Sequence, residues 1–225
     1  MSAAASDIKV RLVSISSPTV DDLGGSPENL VTYCARVSNP SNQTNTATAR
    51  KLLRYLKDHS HWSPFEMVHA VVEIETSRGI SPQILRHRSF SFQEFSQRYQ
   101  SVTDEGVVIY AARRQDQKNR QNSIDDLPDD VKAEWESRQL DNWKRSFEHY
   151  SWALNQGIAK ECARFVLPLG AKTKLYMAGN LRSWMHYLSV RTDQSTQKEH
   201  RDVALACLEV LRPHFPVSLE VSDDR

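Results

Sequence analysis

The chain has 225 residues, 39% of them apolar, and its 29 Lys and Arg stand against 28 Asp and Glu, for a formal net charge of +1. That length and apolar content suffice for a packed core and exclude a disordered chain, while the balanced charge excludes a general nucleic-acid coat. No apolar run approaches the ~20 residues that a membrane span needs, and the opening Met1 to Asp7 lacks the basic and apolar regions of a signal peptide. Cys34, Cys162 and Cys207 are far apart, odd in number and without CxxC spacing. They exclude a zinc site and read as small buried residues of a reduced compartment. These features predict a cytoplasmic protein with a single domain over 1–225 and no metal.

Ile8 to Ile15 alternates and predicts a first strand. Ser26-Pro27 opens a helix, with Leu30, Val31 and Cys34 as its apolar face, and a second helix spans 46–59 on Leu52, Leu53 and Leu56. Phe65 to Thr76 alternates clearly and predicts a strand. Ser81-Pro82 repeats the cap signature and starts a short helix that carries Gln83, Ile84, Leu85 and the triplet Arg86-His87-Arg88. On such a helix Gln83, Arg86 and His87 share one face.

Residues 111–130 are polar and read as a loop or an excursion; for Arg113 to Ser123 a lid, a folate contact and a solvated loop are all open, and the solvated loop is the expectation. A long Trp-rich helix follows over 129–156, then a helix over 158–166 ending before Pro168, and a short strand over 173–178. Asn180 caps the next helix, Leu181 to about Thr192. Leu181, Trp184, Met185 and Leu188 form its apolar stripe, and Arg182 and His186 lie together on the opposite side. Arg191 falls in line with Trp184 and Leu188. A guanidinium there must either snorkel at the helix end or meet a partner in a partly buried site. The fold class these elements predict is α+β, a small, mostly antiparallel sheet packed with long helices. No GxGxxG or Walker sequence is present, which disfavours Rossmann and P-loop scaffolds.

The densest chemistry lies between residues 86 and 98. Arg86, His87, Arg88 and Arg98 surround Glu94 and three serines, interleaved with Phe90, Phe92 and Phe95. Guanidinium forks bind phosphate bidentately, hydroxyls complete an anion cradle and flat rings wall it from water. The segment therefore suits a phosphorylated, aromatic ligand. Ser96 has no base beside it in sequence and reads as a ligand-binding hydroxyl rather than a nucleophile. An RNA- or nucleotide-binding module using Arg86, Arg88, Arg98 and Tyr99 is the competing reading, one that the balanced charge opposes.

Arg86-His87-Arg88, seven residues, then Ser96 resembles the RHRx7S signature of the flavin-dependent thymidylate synthases, and Gln97-Arg98-Tyr99 continues the family pattern. The resemblance also includes His61 to Glu66, Ala163 to Pro168, and Gly179 to Arg182 through Arg191. It implies conversion of dUMP to dTMP, with 5,10-methylenetetrahydrofolate as one-carbon donor, FAD as hydride carrier and NADPH as reductant. No cysteine nucleophile is implied. A flavoprotein methylating some other uracil shares the same motif.

By the same resemblance Ser63, Arg86, His87, Arg88, Glu94, Asn180, Leu181, Arg182 and His186 are expected to contact FAD. Gln83, Ile84, Leu85, Arg86, Glu94, Phe95, Ser96, Gln97, Arg98, Arg164 and Arg191 are expected around the nucleotide. Arg191 matches the arginine that activates the uracil, favouring ionisation at N3. Ser63 stands where many relatives have threonine, and His186 where some have asparagine. Family members are homotetramers whose active sites are shared between chains, so the same assembly is expected here.

Overall fold

Residues 8–102 and 106–220 are described by a computed structural model. Met1 to Asp7, expected to carry no leader, lie outside the described residues. In chain order the elements are β1 (Lys9–Ile15), α1 (Pro27–Ala35), α2 (Ala49–Asp58), β2 (His69–Ser77), α3 (Ser81–Ile84), β3 (Ser91–Glu94), β4 (Arg114–Gln115), β5 (Ser123–Ile124), α4 (Asp129–Asn155), α5 (Lys160–Ala163), β6 (Lys172–Asn180), α6 (Leu181–Arg191) and α7 (Lys198–Leu211).

β1, β2, β6 and β3 pair antiparallel in that spatial order, which bears out the α+β expectation. The period-2 pattern of β2 and β6 decides which face is buried. Ala70, Val72 and Ile74 of β2 and Leu175 and Met177 of β6 enter one core with Val31 of α1, Leu53 of α2, Trp184 of α6 and Leu211 of α7. Each such aliphatic side chain contributes about 1.5–3 kcal/mol by leaving water. The alternate residues carry charge across the strands instead: Arg11 pairs with Glu73 at 3.0 Å and Lys174 with Glu75 at 3.0 Å. A smaller cluster of Val102, Tyr150, Ala153 and Ala163 ties the C-terminal end of α4 to α5, and the Tyr150 hydroxyl accepts from the Val102 amide at 3.0 Å.

Several expectations need correction. Phe65 to Val68 are not strand: Ser63–Met67 is a 3-10 turn with Pro64 at its start, which buries Phe65 completely and delays β2 to His69. The Ser26 side chain makes no capping bond, and Ser81 lies inside α3 and donates to Glu94 instead. α3 is one turn long, so Arg86, His87 and Arg88 follow it in a turn rather than riding on a helix face. The helix expected over 158–166 divides into α5 and the 3-10 turn Arg164–Val166. β4 and β5 form a short ladder where a plain loop was expected. Of the cysteines only Cys207 is buried, whereas Cys162 is exposed.

Candidate active site

The link between β2 and β3 shapes the site. Ser77 ends β2, α3 turns the chain, and amide-to-carbonyl bonds from His87 to Ile84 (3.1 Å) and Phe90 to His87 (3.2 Å) wind Arg86-His87-Arg88 into a tight bend before β3. Phe90 anchors that bend against Trp184 (ring centroids 4.9 Å) and Tyr187 (5.9 Å) of α6. Arg86 and Arg88 are exposed and make no ion pair with another described residue. Their guanidinium forks stay open to an anion.

α6 supplies the opposite wall. The Asn180 side chain accepts from the Ser183 amide at 2.8 Å, the expected N-cap, which starts the helix directly at the end of β6. Leu181, Trp184, Tyr187 and Leu188 are buried, while Arg182 and His186 are exposed. Arg182 pairs with Glu66, which fixes it beside the Ser63–Met67 turn.

Arg191 is half-buried and resolves the choice between snorkelling and a partner. Its Nε donates to His87 Nε2 at 2.9 Å. An imidazole that accepts at Nε2 is neutral and carries its proton on Nδ1. Burial, followed by the charges of Arg191 and His186, depresses the His87 pKa to about 4. Behind it Tyr187 meets His87 edge-on (4.8 Å), and the Tyr187 hydroxyl lies 3.3 Å from Nε2 of the fully buried His200. Burial, then Arg191 and His87, lower the His200 pKa to about 3. This rank of uncharged rings backs a single cation.

A cleft of about 560 Å³ opens at the end of β3, lined by Gln93, Glu94, Phe95, Ser96, Tyr99, Gln100, Lys174 and Tyr176. Glu94 faces inward as well: it accepts from Ser81 Oγ (2.6 Å) and Thr173 Oγ1 (3.0 Å) and pairs with Arg78 (3.0 Å). Arg78 also donates to the Phe95 carbonyl at 2.7 Å. Lys160 of α5 donates to the Tyr99 carbonyl at 3.0 Å and brings Arg164, stacked over Phe165, to the same end of the sheet.

The expected residues thus fall into two groups. His87, Arg191, Asn180, Leu181, Arg182, His186 and Ser63 gather along α6 and its neighbouring turns, and Glu94, Phe95 and Ser96 line the cleft. Gln97 is buried and Arg98 exposed just beyond them; Ile84 is buried and Leu85 half-buried. Gln83 reaches a different partner, Gln197, at 2.7 Å. Tyr187, His200 and Arg78 were not anticipated. Tyr187 had a signal, since it sits four residues before Arg191 on one helix, whereas nothing local in the sequence marks His200 or Arg78.

The thymidylate synthase complementing protein family (Thy1) model matches residues 20–217. The chain belongs to this family. A flavin-dependent thymidylate synthase from Synechocystis sp. is 52% identical over 209 residues, covering 92% of this chain and 95% of the relative. A probable flavin-dependent thymidylate synthase from Paramecium bursaria Chlorella virus 1 is 50% identical over 93% and 96% of the two chains. Among solved structures, the UMP/dUMP methylase PolB from Streptomyces cacaoi bound with 5-Br dUMP superposes with a TM-score of 0.81 at 28% identity, covering 95% of this chain and 94% of that one. The family match over 20–217 includes both the bend at Arg86-His87-Arg88 and α6.

Proposed function

We propose that this Thy1 family member converts dUMP to dTMP, taking the one-carbon unit from 5,10-methylenetetrahydrofolate and reducing power from NADPH through FAD. The observation that supports the reading best is the Arg191–His87 contact, which joins the two motif segments at one point.

The donor set suits FAD. Arg86 and Arg88, without an ion pair among the described residues, offer cations of the kind a pyrophosphate takes, and Arg182, His186, Ser63 and the amide nitrogen of Asn180 offer donors along the neighbouring surface. When bound, the flavin supplies hydride chemistry that the side chains cannot. In this reading Ser96, Arg98 and Arg164 bind the dUMP phosphate and sugar, and Gln83 and Arg191 bind the nucleotide with them.

Arg191 carries the catalytic role. With Nε committed to His87, its terminal nitrogens are the part left for a ligand, and neutral His87 holds the fork without neutralising it. A fixed cation aimed at the uracil stabilises negative charge at N3 as it develops, without reorganisation during the step. No cysteine nucleophile enters this reading, and for two of the three, Cys207 and Cys34, burial raises the thiols above their ordinary values, the opposite of what a nucleophile requires.

The assembly belongs to the same reading. Tyr99 (84% exposed) lines the cleft, and Phe165 (80%), Leu169 (74%) and, on α4, Trp152 (60%) are bare as well. Such surface suits a homotetramer whose neighbouring chain completes the site. No helix among the described residues is long and apolar enough to cross a membrane. A cytoplasmic location belongs to the reading as an enzyme of nucleotide synthesis.

Arg191→Ala tests the role directly. It should abolish dTMP formation while flavin still binds, and retained turnover would remove Arg191 from the mechanism. Because the Streptomyces cacaoi neighbour is described as a methylase of UMP and dUMP, both nucleotides belong in the assay.

A further inference from the structure

The polar stretch at Arg113 has a place in the site. Arg113 Nη2 meets Glu199 at 2.5 Å, with both side chains largely buried, and its Nε donates to Ser123 across the β4–β5 hairpin at 2.8 Å. The other carboxylate oxygen of Glu199 accepts from Gln197 Nε2 at 2.9 Å, and Gln197 Oε1 accepts from Gln83 Nε2 at 2.7 Å. We propose that the chain Arg113–Glu199–Gln197–Gln83 is a positioning relay that sets the orientation of the Gln83 carboxamide, and with it the affinity for the nucleotide.

The order of donors makes the direction of each amide compulsory. A carboxylate only accepts, so Gln197 must turn its NH2 to Glu199 and its oxygen to Gln83. Gln83 must then turn its NH2 to Gln197, which presents its carbonyl oxygen as the acceptor for a ligand N–H or O–H. Burial alone would raise the Glu199 pKa, but hydrogen bonds from Gln197, its own amide and Arg113 outweigh it and the net shift is downward, so the acceptor-only form is held. The segment leading into the hairpin is tied to α4, where Gln139 exchanges two hydrogen bonds with the Tyr110 backbone (3.0 and 2.8 Å).

The inference rests on the reading of Gln83 as a nucleotide contact, and a double-mutant cycle tests it. Gln197 is exposed, and Gln197→Met keeps its length and stem. In the wild-type background this variant should raise KM for dUMP about three- to tenfold, the weight of one hydrogen bond, with kcat and FAD binding unchanged. In a Gln83→Ala background it should add nothing. An equal rise in both backgrounds, or no rise in the first, overturns the relay while leaving the function intact. A wild-type protein that forms no dTMP overturns the function, and the relay falls with it.

Discussion

Arg191 shows how one side chain can be both on an apolar stripe and chemically available. Tyr187 and Leu188, one turn before it on α6, are buried, its Nε is tied to His87, and His87 is kept neutral by burial and by Arg191 itself. A lysine has no fork with which to bond His87 and a ligand together, so Arg191→Lys should lose nearly as much dTMP formation as Arg191→Ala. Near-normal turnover in Arg191→Lys would reduce the role to a point charge. The same pair makes stability depend on pH. An unfolded histidine titrates near its ordinary 6.5, whereas folded His87 titrates near 4 and His200 near 3. Between those values the unfolded state binds more protons, so this part of the stability is fully present above about pH 6.5 and is lost as pH falls toward 4 and below. Melting temperature followed from pH 7 to 4 should therefore decline, and His87→Gln should flatten the decline. An identical slope in the variant would show that His87 is not the group responsible.

At the scale of elements, the bend before β3 and the end of β6 are fitted to each other by a glycine. A Cβ at Gly179 would collide with the Phe90 ring, and Phe90 is what holds the Arg86-His87-Arg88 bend against Trp184 and Tyr187. Gly179→Ala should cost about 1–3 kcal/mol in denaturant unfolding and should weaken flavin binding as the bend shifts. Unchanged stability would mean that Phe90 has room to move. Loss of the proposed flavin contacts has a different signature: His87→Ala or Arg182→Ala should weaken FAD, and normal FAD binding in both would misplace the flavin face. Periodicity made β1, β2, β6, α4 and α6 legible, together with the Asn180 cap, because each carries a long, regular apolar pattern or a local capping residue. Ser63–Met67 misled the pattern, since Pro64 and a buried Phe65 imitate the start of a strand. The one-turn α3 misled it too, because a serine before a proline looks the same whether the serine caps or donates elsewhere. What joins Arg191 to His87, 104 residues away, or Arg113 to Glu199, is a matter of tertiary packing and leaves no local trace.

For the whole molecule, the motifs that resembled a family in four separated segments come together on two neighbouring surfaces, and the family match over 20–217 spans them all. The sheet buries one face under helices and lays a charge ladder on the other, while Tyr99 at the cleft, Phe165 and Trp152 of α4 stay exposed. That distribution predicts a tetrameric mass by light scattering at working concentration, and a monomeric mass would contradict both the assembly and the shared site. Trp152→Glu, placing a charge on that exposed apolar surface, should shift the mass toward smaller species. The most direct measurement is dTMP formation by the purified protein given dUMP, methylenetetrahydrofolate and NADPH, with and without added FAD. Product that depends on FAD is the predicted result. NADPH oxidation that needs FAD but yields no dTMP would contradict the account, because it would mean a flavoprotein with another acceptor.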